Sequence, residues 1–160
     1  MHIPEHLIIF ETGHWVLNHH MASALPGYLM LGAKTAGALG DLPEIAQAEL
    51  GVLLAKVQRI MQSELQPEQL YISRYGHEAG WPIHFHCIPV YAWVEELFWK
   101  DERYRALRAF DYPPAASPKT DGAELTLFIW REFGENPTKP PVVGPGREQV
   151  VAILRRAFEE

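Results

Sequence analysis

Two histidines, His84 and His86, stand two residues apart in the otherwise apolar segment Pro82-Ile83-His84-Phe85-His86-Cys87-Ile88-Pro89. Side chains alternate across a β-strand, so both imidazoles would project to one face, roughly 7 Å apart at the backbone. A neutral imidazole can attack phosphorus, and a protonated one can donate to phosphate oxygens. The spacing therefore predicts a strand with one face in the core and the other lining a pocket.

Two other interpretations of the histidine pair stay open at this level. Both rings could be structural, or they could ligate a metal, because His-x-His is a recurrent ligand arrangement. His14, His19, His20 and His77 offer possible further ligands. No third ligand is fixed by spacing, so we expect a site without metal or cofactor. Cys87 would face away from both histidines as a small core residue.

The elements that position this pair can be outlined from periodicity. Short apolar runs rich in strand formers predict strands at residues 7–10, 15–17, 28–31, 70–75 and 83–90. Helical spacing predicts a long helix over 41–65, with a capped start at Asp41 and Glu44 and with Ile45 on its buried face. Helices are also expected at 93–108 and 147–160, loops at 112–122 and 136–146, and either a strand or a helix at 125–130.

These elements predict an α+β fold, in which an antiparallel sheet of about five strands carries the long helix on one face and additional carboxy-terminal helices. The length of 160 residues, of which 48% are hydrophobic, suits one domain spanning residues 1–160. A connector at 136–146 would not divide it, because the residues that follow are too few to form a core of their own.

Charge and composition limit the partners. A formal net charge of −6 gives no basic footprint for a nucleic-acid polymer, and no apolar stretch reaches the ~20 residues that a membrane span needs. A small anionic metabolite remains compatible with a locally cationic pocket. The single cysteine cannot form an internal disulfide, and no targeting segment is apparent, so we expect a cytoplasmic protein.

The histidine segment resembles the histidine triad (HIT) family, whose motif alternates three histidines with apolar residues on a strand. His84 and His86 match the second and third histidines, and Pro82 stands at the first. The order and spacing of 7–34 and the glycine-containing loop at 76–80 are similar to the family as well, so the likeness covers about residues 7–91. Residues 92–160 would form an extension packed on this HIT-like core.

The resemblance implies a nucleotide phosphohydrolase or nucleotidyl transferase that acts at an α-phosphate. The substrate would be a dinucleoside polyphosphate or a nucleoside phosphoramidate, and the protein would be a homodimer. His84 would form a nucleotidyl-histidine intermediate, and His86 would hold phosphate oxygens. Substrate contacts would come from Arg74, Gly80, Trp81 and His20, although Trp81 could instead pack under the turn. The alternatives are a nucleotide-binding module with weak or lost catalysis, suggested by Pro82, and a metal-dependent hydrolase.

Overall fold

Five antiparallel strands form a single sheet in the computed structural model, which describes residues 2–76, 80–105 and 120–160. The strands are β1 (Ile8–Glu11), β2 (Trp15–His19), β3 (Leu29–Ala33), β4 (Gln69–Ser73) and β5 (His84–Val90). Their spatial order is β1-β2-β3-β5-β4, which places the histidine strand β5 inside the sheet between β3 and β4. The predicted α+β fold with an antiparallel sheet is confirmed.

Four α-helices accompany the sheet in the described part of the chain: α1 (Glu44–Leu65), α2 (Ala92–Lys100), α3 (Ala123–Trp130) and α4 (Arg147–Glu159). A π-helical turn, Arg131–Glu135, continues directly from α3, and 3₁₀ turns lie at Glu5–Leu7, Leu39–Asp41 and Glu102–Tyr104. The segment 136–146 is irregular, as its prolines predict.

Alternation along the strands divides the sheet into two chemically different faces. Most odd-numbered side chains of β2, β3 and β5, such as Trp15, Leu31 and Cys87, are buried in one apolar cluster with α1 and α4. The Trp15 indole N–H donates to the carbonyl of Ala46 on α1 at 2.9 Å, which satisfies the polar atom of this large core side chain. This face is the main core.

The even-numbered side chains of β5 change character along the strand. His84 and His86 come first, and Ile88 and Val90 follow on the same face, where they join a second apolar cluster built with α2, α3 and the π-helical turn. The described residues of the carboxy-terminal extension thus cover the distal end of this face. Both histidines lie at the amino-terminal end of β5, beyond this second cluster.

Two expectations for the long helix are corrected. The helix begins at Glu44 with Pro43 at its N-cap, whereas Asp41 closes the preceding 3₁₀ turn, where its carboxylate accepts the Ala38 N–H at 3.0 Å. Ile45 was expected on the buried face but is 67% exposed. At 100° per residue, Ile45 lies about 120° around the helix from the centre of the buried stripe that Ala46 begins, so the buried face is narrower than the apolar pattern predicted.

The elements after the histidine strand also differ from prediction. The helix expected over 93–108 ends at Lys100, because Asp101 adopts extended backbone angles. The ambiguous stretch 125–130 is helical and belongs to α3. Residues 106–119, which include most of the predicted loop at 112–122, lie outside the described residues, as does His77. No helix in the described ranges has the length and apolar character to cross a bilayer.

Candidate active site

The hydrogen bond of His84 determines which of its ring nitrogens faces a substrate. Its Nδ1 lies 3.1 Å from the carbonyl oxygen of Pro82. A carbonyl can only accept, so Nδ1 carries the proton and the neutral ring keeps its lone pair on Nε2. Among the described residues, Nε2 makes no hydrogen bond, and His84 lines a cavity. The ring is thus held in the tautomer that a nucleophile requires.

His86 lies on the same face as predicted, with its ring centroid 5.2 Å from that of His84. It is 7% exposed, and its Nδ1 shares a 2.8 Å hydrogen bond with the hydroxyl of Tyr28. Burial, with smaller contributions from the charges of His84 and His20, lowers the pKa of His86 to about 4. At neutral pH, His86 is therefore an uncharged imidazole. The sequence had suggested that one histidine of the pair could be protonated, and His86 does not have that role.

His20 adds a third imidazole to the face. Its ring centroid lies 6.0 Å from that of His86 and 4.6 Å from that of Tyr28. Its Nδ1 accepts the backbone N–H groups of Ala22 and Ser23, at 3.2 and 3.1 Å, so the neutral ring carries its proton on Nε2. Burial and the nearby His84 lower its pKa. His20, which the sequence predicted as a substrate contact, is thus a neutral N–H donor close to the histidine pair.

His19 has a structural role and is not available as a metal ligand. It is fully buried: Nδ1 lies 2.9 Å from the carbonyl of His20, and Nε2 lies 3.1 Å from the carbonyl of Leu25 and 3.2 Å from the backbone nitrogen of Gly27. Both nitrogens are therefore engaged, and burial lowers the ring pKa to about 4. These bonds fix the turn between β2 and β3, from which His20 and Tyr28 reach the site.

One cavity, called cavity A, opens between β4, β5 and α3 and has a volume of about 610 Å³. Its walls include Arg74, Tyr75, Gly76, Trp81, His84 and Trp130. Gly76 has φ +94°, and a Cβ built on it would lie 3.2 Å from Cε1 of His84. Glycine therefore lets the backbone after β4 approach the imidazole closely. Arg74 is exposed and lies on the wall beside it.

A second cavity, cavity B, lies across β1, β2 and β3 and has a volume of about 510 Å³. It shares Trp81, Pro82 and His84 with cavity A, and its far wall carries Lys34 and Glu11, which form a 3.2 Å ion pair. His84 therefore borders both cavities. Trp81 is 44% exposed and lines both, which contradicts packing under the turn as its role.

Gly80 and Cys87 are not among the residues that line the two cavities. Gly80 has φ +85° and open space where a Cβ would lie, and it belongs to neither cavity wall. Cys87 is fully buried on the opposite face, where burial raises the pKa of its thiol to about 12, as expected of a core cysteine. Within the described ranges, no group of three or more histidine, cysteine or acidic side chains is arranged to hold a metal ion.

Three aromatic residues near the histidines were not singled out from the sequence: Tyr28, Tyr75 and Trp130. The Tyr75 ring stands edge-on to His86 at a centroid distance of 5.3 Å, and its hydroxyl lies 3.2 Å from that of Thr126 on α3. Trp130 ends α3 and lines cavity A. Their only sequence signal is an aromatic residue beside a turn or at a helix end, which does not distinguish site residues from core.

Comparison with known proteins establishes the class of fold. No family model matches the chain, and no curated protein is significantly similar in sequence. A HIT-like protein from Bartonella henselae involved in cell-cycle regulation is 12% identical, with a TM-score of 0.54 over 97% of this chain and 88% of that one. A Zn-bound histidine triad family protein from Mycobacterium smegmatis is 15% identical, with a TM-score of 0.53 over 95% and 83%.

A uridylyltransferase structure is also similar, with 14% identity and a TM-score of 0.58. It aligns with 98% of this chain, which spans only 42% of the uridylyltransferase. At these identities the likeness defines architecture and not activity. The chain therefore has the HIT-like fold that its histidine segment predicted.

Proposed function

We propose that this protein hydrolyses or transfers nucleotides at the α-phosphate, through a nucleotidyl group carried on His84. The observation that carries the proposal is the bond from His84 Nδ1–H to the Pro82 carbonyl, which leaves Nε2 as a lone-pair donor beside a cavity. A peptide carbonyl performs this orientation, and Pro82 retains its carbonyl although it has no N–H. The loss of the first triad histidine thus does not remove the group that sets the tautomer.

The proposed reaction has two displacement steps. Nε2 of His84 attacks phosphorus, a nitrogen–phosphorus bond forms, and the bond to the leaving group breaks with its electron pair. Water then attacks the same phosphorus and gives one proton to the solvent, the nitrogen–phosphorus bond breaks with its electron pair returning to Nε2, and nucleoside monophosphate leaves with the hydroxyl from water. An acceptor in place of water would give nucleotidyl transfer. Dinucleoside polyphosphates and nucleoside phosphoramidates both fit this scheme, with the amine of the phosphoramidate taking a proton from the solvent as it leaves.

The neighbouring groups would stabilise charge on the phosphoryl oxygens. With the Tyr28 hydroxyl donating to His86 Nδ1, the neutral His86 ring donates from Nε2 without bringing a full charge into the site. Arg74 supplies the cation on the wall of cavity A. His20 would donate its Nε2–H to a substrate oxygen such as a ribose hydroxyl, and Trp81 and the backbone at Gly80 would contact the substrate at the rim.

The proposal is tested by trapping the intermediate. The native protein is mixed with a dinucleoside polyphosphate labelled at the α-phosphate, in the presence of a chelator, and quenched within the first turnover. We expect label on the protein that is stable in base and released by acid, as a phosphoramidate bond is, together with nucleoside monophosphate in later samples. Steady release of monophosphate without any protein-bound label would contradict the covalent route.

A nucleotide-binding module with weak or lost catalysis is the second candidate, and the replacement of the first triad histidine by Pro82 favours it. In that case nucleoside monophosphate should raise the thermal unfolding temperature by mass action, while the labelled substrate yields neither product nor protein-bound label. A metal-dependent hydrolase would instead lose its activity with the chelator.

Replacing Pro82 by alanine tests whether the carbonyl alone is needed at this position. Alanine keeps the carbonyl that accepts the His84 Nδ1–H, so we expect kcat/KM for monophosphate release to stay within about 10-fold of the native value. Removal of a group that acts on the transition state would lower kcat/KM much further. Pro82→His, which places a histidine at the first position of the motif, gives the comparison. A loss of 1,000-fold or more in Pro82→Ala would show that the proline ring itself is required.

A further inference from the structure

The two cavities beside His84 differ in their electrostatic character. Lys34 of cavity B is neutralised by its ion pair with Glu11. Arg74 of cavity A forms no ion pair with any described residue, so its charge is available to a ligand. In phosphoryl transfer, the leaving oxygen gathers negative charge as its bond to phosphorus breaks. Cavity A is therefore the better site for the leaving group.

The walls of cavity A also present aromatic rings to solvent. Trp130 is 49% exposed, Trp81 is 44% exposed and Tyr75 is 37% exposed, and all three line this cavity. Large aromatic side chains seldom remain this open without a binding role when several converge on one concave surface. Planar rings on a cavity wall suit stacking against another planar ring.

Trp130 is held in place by contacts on both sides of it in the sequence. Four residues earlier, the Thr126 hydroxyl donates to the Ala123 carbonyl at 2.9 Å, and so accepts from the Tyr75 hydroxyl at 3.2 Å. Residues four apart lie on one helix face, so this bond brings the Trp130 side of α3 against the wall that carries Tyr75. The helix is thereby tied to the segment that follows β4, which carries Tyr75.

On the other side of Trp130, the π-helical turn is anchored by Glu132. One oxygen of its carboxylate accepts the Tyr104 hydroxyl at 2.7 Å and the Arg103 guanidinium at 2.8 Å, and the other accepts the Asn136 amide at 2.8 Å. Glu132 is only 8% exposed, so this network is a rigid foundation. π-Helical turns within helices often occur at functional sites.

We infer that cavity A is a leaving-group subsite for a planar aromatic ring joined to a phosphate, with Trp130 as its specificity-determining residue and Arg74 as its cation. The inference rests on the proposed function and adds to it the side of the site from which the leaving group departs and the residue that selects it. A second nucleoside phosphate has this chemistry, whereas the ammonia released from a phosphoramidate does not.

The test compares two substrates that share one nucleoside phosphate and differ in the leaving group: a dinucleoside polyphosphate and the unsubstituted nucleoside 5′-phosphoramidate. Trp130→Ala should lower kcat/KM about 10- to 100-fold for the first, the range expected for the loss of one ring-stacking contact, and by less than about 3-fold for the second. Trp130→Phe, which keeps a ring, should recover most of the loss. Because kcat/KM includes departure of the leaving group, it reports directly on this subsite.

Leu127→Ala is the matched control, because Leu127 is 47% exposed on the same helix but does not line cavity A. This variant should have the native kcat/KM for both substrates. The thermal unfolding temperature of each variant checks that the fold is intact. Equal losses for the two substrates in Trp130→Ala, or no loss for either, would overturn the subsite while leaving the proposed function in place. Failure of the native protein to release monophosphate from both substrates would overturn the proposed function and the subsite together.

Discussion

His84→Ala is expected to lower kcat/KM for nucleoside monophosphate release by at least about 1,000-fold, because it removes the atom that would bond to phosphorus. The cavity walls stay in place, so substrate binding should change far less than turnover. The measurement is steady-state release from a dinucleoside polyphosphate in the presence of a chelator, combined with the rapid-quench assay for protein-bound label. Both turnover and label should disappear in this variant.

His6→Ala controls for the loss of an imidazole, since His6 is an exposed histidine on the 3₁₀ turn before β1, away from both cavity walls around His84. It should retain native turnover. His86→Gln keeps an N–H donor without the imidazole and should reduce turnover less than His84→Ala, because it alters charge stabilisation but leaves the nucleophile. Turnover by His84→Ala within 10-fold of the native value would assign the chemistry to another group.

The placement of the histidine pair could be predicted because it depends on local geometry alone. Alternation along one strand put His84 and His86 on a common face, with Cys87 opposite, and the structure confirms both statements. The protonation state of His86 could not be obtained in this way. Its lowered pKa results mainly from burial, and the residues that cover the ring, Tyr28 and His20, come from a distant part of the chain.

The part of the site that comes from the carboxy-terminal extension could not be predicted either, because it also depends on non-local contacts. The apolar run of α3 has no period that separates helix from strand, because the helix is buried along most of its length between other elements. Trp130 therefore carried no signal of its position on a cavity wall. That position depends on two non-local contacts: the bond from Tyr75 to Thr126 and the Glu132 network. The homodimer and the cytoplasmic location stay predictions.

Lowering the pH from 7 to 5 is expected to reduce the free energy of unfolding by about 4 kcal/mol through His19 and His86 together. Both have pKa values near 4 in the folded protein, against 6.5 in the unfolded chain. Between these values the unfolded state binds more protons, so stability decreases as the pH falls through this window. Each histidine contributes roughly 2 kcal/mol by pH 5, and the lowered pKa of His20 acts in the same direction.

Urea unfolding at pH 7, 6 and 5, followed by tryptophan fluorescence, measures this dependence. His86→Gln should remove about half of the pH-dependent loss, whereas His6→Gln, at an exposed position, should leave the loss unchanged.

The carboxyl groups of Asp101 and Glu132, whose pKa values are lowered by their hydrogen bonds to Arg103 and Tyr104, release their stabilisation only under more acidic conditions. The window above pH 5 therefore isolates the histidines. If the free energy of unfolding were equal at pH 7 and pH 5, the pKa values of these two histidines would be the same in the folded and unfolded protein. His86 would then be able to carry a positive charge to a phosphate.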